Sequence, residues 1–170
     1  DRFEEFTPGL RGEPAQLIFE GNITSPDFIS KFEEFLIEMS EVEFVGVNQD
    51  GSLNQSGTLN LSKISKLILS NEKVIEDIND KYDLLITDND NNFIPDNQTQ
   101  IEAMIKYGID NGISSDGEYS FDPLWFQRYF WYNQELDNDY TSILMVFLSG
   151  TRTEDDVSKV RNEITKLVNE

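Results

Sequence analysis

Two stretches at opposite ends of this 170-residue chain spell the same local structure, and that duplication limits the possible folds more than any single residue does. Near the start, Gln16-Leu17-Ile18-Phe19-Glu20-Gly21 passes through a turn into Ser25-Pro26-Asp27 and an amphipathic stretch. Near the end, Ser142-Ile143-Leu144-Met145-Val146-Phe147-Leu148-Ser149-Gly150 passes through Thr151-Arg152 into Thr153-Glu154-Asp155-Asp156 and another. Each reads as strand, glycine turn, hydroxyl N-cap, acidic first turn and helix. Ile29, Phe32, Leu36 and Met39 of the first helix align with Val157, Val160, Ile164 and Leu167 of the second.

In the first unit Ser25 caps the helix and Pro26 takes its first position, where a missing N–H does no harm. Phe28, Ile29, Phe32, Phe35, Leu36 and Met39 form one apolar stripe at helical spacing, with Glu33, Glu34 and Glu38 facing away. Val42 to Val47 reads as a returning strand, so strand–helix–strand with a short return predicts a right-handed crossover and parallel neighbours. The second unit stops after its helix, where Thr153 and Asp156 have capping-box spacing. The fold expected is α+β, a ferredoxin-like split β-α-β sandwich in one domain, 1–170. Its core would span about 13–48 and 140–170, with a mostly helical insertion over about 49–139. Asp1 to Gly12 is an entry segment with turn signals at Pro8-Gly9 and Gly12. Within the insertion, Leu61, Ile64, Leu67 and Ile68 make one helical stripe, and Val74, Ile75, Ile78 and Tyr82 another. Ile101, Met104, Ile105 and Ile109 mark a helix ending near Gly108 or Gly112, and Asp122-Pro123 opens a short one.

Composition removes whole classes of chemistry. Acidic residues number 33 against 13 basic, a formal charge of −20, which repels phosphate backbones and excludes nucleic acid as a partner. Cysteine and histidine are both absent, so no disulfide, thiolate nucleophile, cysteine–histidine zinc site or histidine base can form. There is no phosphate-binding loop, dinucleotide fingerprint or nucleophile elbow. Adjacent carboxylates at Glu4/Glu5, Glu33/Glu34 and Asp155/Asp156 diverge by about 100° on a helix and do not converge on one substrate atom. The reading is therefore non-enzymatic, with no catalytic residue, cofactor or metal assigned. Asp88-Asn89-Asp90-Asn91-Asn92 evokes a calcium loop, yet Phe93, Pro95 and Thr99 exclude an EF-hand and leave only a looser calcium site open. No apolar run approaches the roughly 20 residues that span a bilayer. The start at Asp1, without a signal-peptide pattern, suggests a piece of a longer protein.

The one local oddity is Trp125 to Tyr132, six aromatics in eight residues with Arg128 in their midst. One helix face cannot send all of them into a core. Either most pack the insertion against the sheet with Arg128 stacked on a ring, or they form an apolar contact surface. The contact candidates are Trp125, Phe126, Arg128, Tyr129, Phe130 and Trp131. Four glycosylation sequons, at Asn22, Asn54, Asn60 and Asn97, matter only if the domain faces the outside.

Gly12 to Pro26 with the helix to Met39, Asp139 to Gly150 with the last helix, and Ile94-Pro95-Asp96-Asn97 leading into Ile101-Glu102-Ala103 carry a family likeness. They resemble the extracytoplasmic domain of resistance–nodulation–division (RND) superfamily exporters, in the hydrophobe/amphiphile efflux branch related to the MMPL lipid transporters. The resemblance implies a porter-like domain between the first two transmembrane helices, on the extracellular or periplasmic side of the cell membrane. It implies as partners the rest of a proton-driven transporter, namely its transmembrane helices and a second extracytoplasmic domain, with hydrophobic or amphiphilic small molecules as cargo. A homo-oligomer is compatible with it. The alternative is a free-standing extracellular ligand-binding or adhesive module, with calcium dependence as an option.

Overall fold

The computed structural model of the protein describes residues 14–55, 58–114, 120–133, 139–150 and 153–169. In chain order the elements are β1 (Ala15–Gly21), α1 (Pro26–Glu41), α2 (Leu61–Leu69), α3 (Glu72–Tyr82), α4 (Gln98–Asn111), β2 (Ile113–Ser114), β3 (Ser120–Phe121), α5 (Pro123–Tyr129), β4 (Phe130–Asn133), β5 (Asp139–Val146) and α6 (Glu154–Asn169). Among the described residues the architecture is mixed α+β: six helices with a three-stranded antiparallel sheet in the order β1-β5-β4, and a small antiparallel β2-β3 pair. The entry segment Asp1 to Gly12 lies outside the described residues, as does the turn at Thr151-Arg152.

The duplicated end units both form, and for the same local reasons. A glycine with positive φ follows in each unit, Gly21 at +104° as the last residue of β1 and Gly150 at +79° four residues beyond β5, a conformation that costs glycine little. Each helix is 16 residues long and starts at a hydroxyl cap. Ser25 Oγ accepts from the Phe28 N–H at 3.1 Å. The predicted capping box forms at α6, where Thr153 Oγ1 accepts from the Asp156 N–H at 3.2 Å and Asp156 Oδ2 accepts from the Thr153 N–H at 3.0 Å. Ile29, Phe32 and Met39 of α1, and Val160 and Ile164 of α6, are buried as the stripes predict.

The returning strand is where the structure departs from expectation. Val42 to Val47 makes no parallel partner strand for β1; only single-residue antiparallel bridges form, Val45 to Leu148 and Val47 to Leu53. The chain leaves α1 through a tight turn, with the Val42 N–H bonded to Met39 O and the Val45 N–H to Val42 O, and Phe44 at φ +66°. A left-handed residue at that point interrupts extended backbone, so β-branched composition alone does not make a strand. The Gly46 N–H then donates to Phe147 O at 2.7 Å and the Ser149 N–H to Phe44 O at 2.7 Å, holding the short pairing.

The chain divides into two compact units: one takes Glu33–Thr58 and Met145–Glu170 with the chain up to Leu17, the other takes Ile18–Phe32 and Leu59–Leu144. In the second unit Phe19 packs edge-on against Phe28 and Phe32 at 5.9 and 5.3 Å. Its core is built on Ile64 and Ile68 of α2, Val74 and Ile78 of α3, and Ile101, Met104 and Ile105 of α4, the stripes read from the sequence. Asparagines open three of these helices: Asn60, Asn71 and Asn97 accept from the N–H groups of Lys63, Val74 and Gln100.

Candidate functional site: the aromatic helix and an open sheet face

The aromatic run is split between helix and strand, and that split decides which rings are accessible. Asp122 caps α5 by accepting from the Trp125 N–H at 3.1 Å, with Pro123 at the first position. The helix ends at Tyr129, and Phe130 to Asn133 continue as β4. Period 3.6 in α5 sends Phe126 and Tyr129 inward, and period 2 in β4 sends Phe130 inward and Trp131 outward. Phe126, Tyr129 and Phe130 are buried, Trp125 is half-buried, and Arg128 is exposed. Trp131 is 43% exposed.

Phe126 lies directly on the backbone of α4: a Cβ at Gly108 would fall 2.1 Å from its ring. Trp125 stacks on Tyr129 at 6.2 Å and 13°, meets Phe121 edge-on at 6.2 Å, and carries the Arg128 guanidinium 5.4 Å from its ring centre. Of the six candidate residues, three belong to the core, and Trp125, Arg128 and Trp131 reach the surface. Leu124, 71% exposed on the first turn of α5, is a surface apolar residue that the aromatic pattern did not single out.

Trp131 lies on a sheet face, and its register places it there. It pairs with Thr141 of β5, while Phe130 pairs with Ser142. Along β5, Tyr140, Ser142 and Leu144 are buried, and Thr141 and Ile143 are half-exposed. On β1, Phe19 turns towards α1, and Ile18 alternates outward with 44% exposure. Ile18, Ile143, Thr141 and Trp131 lie on the outer face of the sheet, which the exposed Gln16 and Glu20 of β1 share with Ile18. Neither Ile18 nor Ile143 was a sequence candidate. The signal that would have found them is strict alternation across a sheet covered by helices on one side only.

The polar loop from Asp88 to Asn97 is braced from within. Asp88 Oδ1 and Oδ2 accept from the N–H groups of Asn92 and Phe93 at 3.1 and 3.0 Å, and Asp96 Oδ1 accepts from that of Asn89 at 3.1 Å. Its carboxylates act as turn acceptors, and among the described residues no three acidic side chains converge to hold a metal ion. Of the sequons, Asn60 is buried as a helix cap, Asn22 and Asn97 are exposed, and Ser56 beside Asn54 lies outside the described residues. Among the described residues no helix is long and apolar enough to cross a membrane. No protein-family model, curated protein or solved structure matches this chain.

Proposed function

We propose that this chain is a non-enzymatic, extracytoplasmic porter-like domain of an RND/MMPL-type exporter, handling amphiphilic cargo at the outer side of the cell membrane. The observation that carries the reading is the open sheet face of Ile18, Ile143 and Trp131, opposite a face closed by helices. A domain that contributes one wall to a cargo route, or packs on a second domain, needs such a face. The acidic surface leaves Ile18, Ile143 and Trp131 as the natural place for an uncharged tail.

The ferredoxin-like element of the reading is supported by strand direction. β5 runs antiparallel to β1, and the Val45 bridge is antiparallel to the chain just beyond β5. The segment returning from α1 therefore has the direction of β1, the direction a split β-α-β unit needs. The reading does not draw on the adjacent parallel pair expected from the sequence, because that pair is not formed.

The test uses the full-length protein in proteoliposomes with a proton gradient and a fluorescent amphiphile. Ile143→Lys should reduce export at least tenfold while leaving the circular dichroism and thermal midpoint of the domain unchanged. Unimpaired export by a folded Ile143→Lys protein would overturn the assignment, as would a reading frame lacking apolar segments of about 20 residues on both flanks.

A further inference from the structure

Two of the four sequons lie where an oligosaccharide can be carried, and the fold brings them to the same end of one helix. Asn22-Ile23-Thr24 forms the turn after β1, and Asn97-Gln98-Thr99 opens α4. Neither middle residue is proline, so both fit the acceptor pattern. Asn22 is exposed, and its side chain makes no hydrogen bond among the described residues. Asn97 is exposed too, and its amide is split: Oδ1 accepts from the Gln100 N–H at 3.1 Å, while Nδ2 is left free. Nδ2 is the atom a glycan takes, so helix capping and glycosylation do not compete there. Thr24 Oγ1 lies 3.5 Å from Glu102 Oε1, which accepts from Gln98 Nε2 at 2.8 Å, so the turn after β1 rests against the first turns of α4. Asn60 is the counter-example. It is 1% exposed and its Oδ1 caps α2, which leaves no room for a sugar in a close-packed interior.

We propose that Asn22 and Asn97 carry N-linked oligosaccharides, which makes this end of α4 a glycan-bearing, solvent-facing part of the domain. The co-substrate is an oligosaccharide linked through phosphate to a polyprenyl lipid. The Nδ2 nitrogen bonds to the anomeric carbon of the donor sugar, and the bond from that carbon to the phosphate oxygen breaks. The lipid phosphate leaves with the electron pair, and the amide gives up one proton. The proposal rests on the extracytoplasmic placement proposed above, because donor and acceptor meet on that side of the membrane. A bulky, hydrated chain at each position keeps another protein domain from packing on this end of α4.

Mass spectrometry of the full-length protein purified from its own membranes tests both sites. Tryptic cleavage at Arg11, Lys31, Lys63, Lys81 and Lys106 puts Asn22, Asn60 and Asn97 on separate peptides. The Asn22 and Asn97 peptides should carry a saccharide mass, and Asn60 should carry none. Asn22→Gln and Thr99→Ala should each lower the intact mass by one glycan; the second change keeps the Asn97 cap. A bare side chain at either position overturns the proposal, and so does a saccharide on Asn60, since burial would then not select the sites. Protease added to right-side-out membrane vesicles separates the two readings. Cleavage of a domain with bare Asn22 and Asn97 overturns the glycans alone, whereas a protected domain overturns the extracytoplasmic placement as well.

Discussion

At the scale of single residues, Gly108 is the position where sequence and structure part most instructively. From the sequence it is a candidate helix end, because glycine marks stops. In the structure α4 runs on to Asn111 and is closed by Gly112 at φ +72°, while Gly108 stays helical to admit the Phe126 ring. An alanine in a helix normally gains about 1 kcal/mol over glycine. Here overpacking of a fully buried ring, at about 1–3 kcal/mol, outweighs that gain. Gly108→Ala should therefore lower the free energy of unfolding in urea, and pairing it with Phe126→Leu should recover part of the loss. Arg128 illustrates the opposite case. Its stacking on Trp125 was legible as one of two readings, because a lone cation among six aromatics has few other neighbours.

At the scale of elements, the buried side chain of Gln100 ties a loop to a helix. Its Nε2 donates to Leu85 O at 2.6 Å and to Thr87 Oγ1 at 3.0 Å, and its Oε1 accepts from the Asn97 N–H at 3.3 Å. One amide thus closes the capping box of α4 and anchors the chain leaving α3. Gln100→Ala removes the partner of the Leu85 carbonyl and of the Asn97 N–H, and should cost about 1–2 kcal/mol by urea denaturation. The helices were readable because each carries its own stripe and cap, both local in sequence. The strand expected over Val42 to Val47 was not, because pairing depends on a partner and on the turn at Phe44. β4 escaped notice for a related reason: Phe130 to Asn133 continue directly from α5, and aromatic residues suit either state.

At the scale of the whole molecule the governing quantity is the net charge of −20. The ion pairs Lys31–Asp27 and Lys81–Asp110 are both substantially exposed and contribute little, and 13 basic residues cannot neutralise 33 acidic ones. The compact state therefore carries uncompensated self-repulsion that salt relieves, since the Debye length falls from about 30 Å at 0.01 M to about 10 Å at 0.1 M. Raising sodium chloride from 10 mM to 0.3 M should increase the thermal midpoint by several degrees, as read by differential scanning calorimetry. A midpoint that falls would show that attractive surface pairs dominate instead.

The amino-acid order by itself determined the duplicated strand–turn–helix units, the helical stripes of the middle segment and the absence of histidine and cysteine chemistry. These rest on 3.6- and 2-residue periods and on capping side chains a few positions away. Tertiary structure alone decided which aromatic rings are spent in the core, which face of the sheet is left open, and that the return from α1 bridges Leu148 instead of lying beside β1. Those outcomes depend on partners far away along the chain, and no local pattern encodes which of two alternating faces a distant helix will cover.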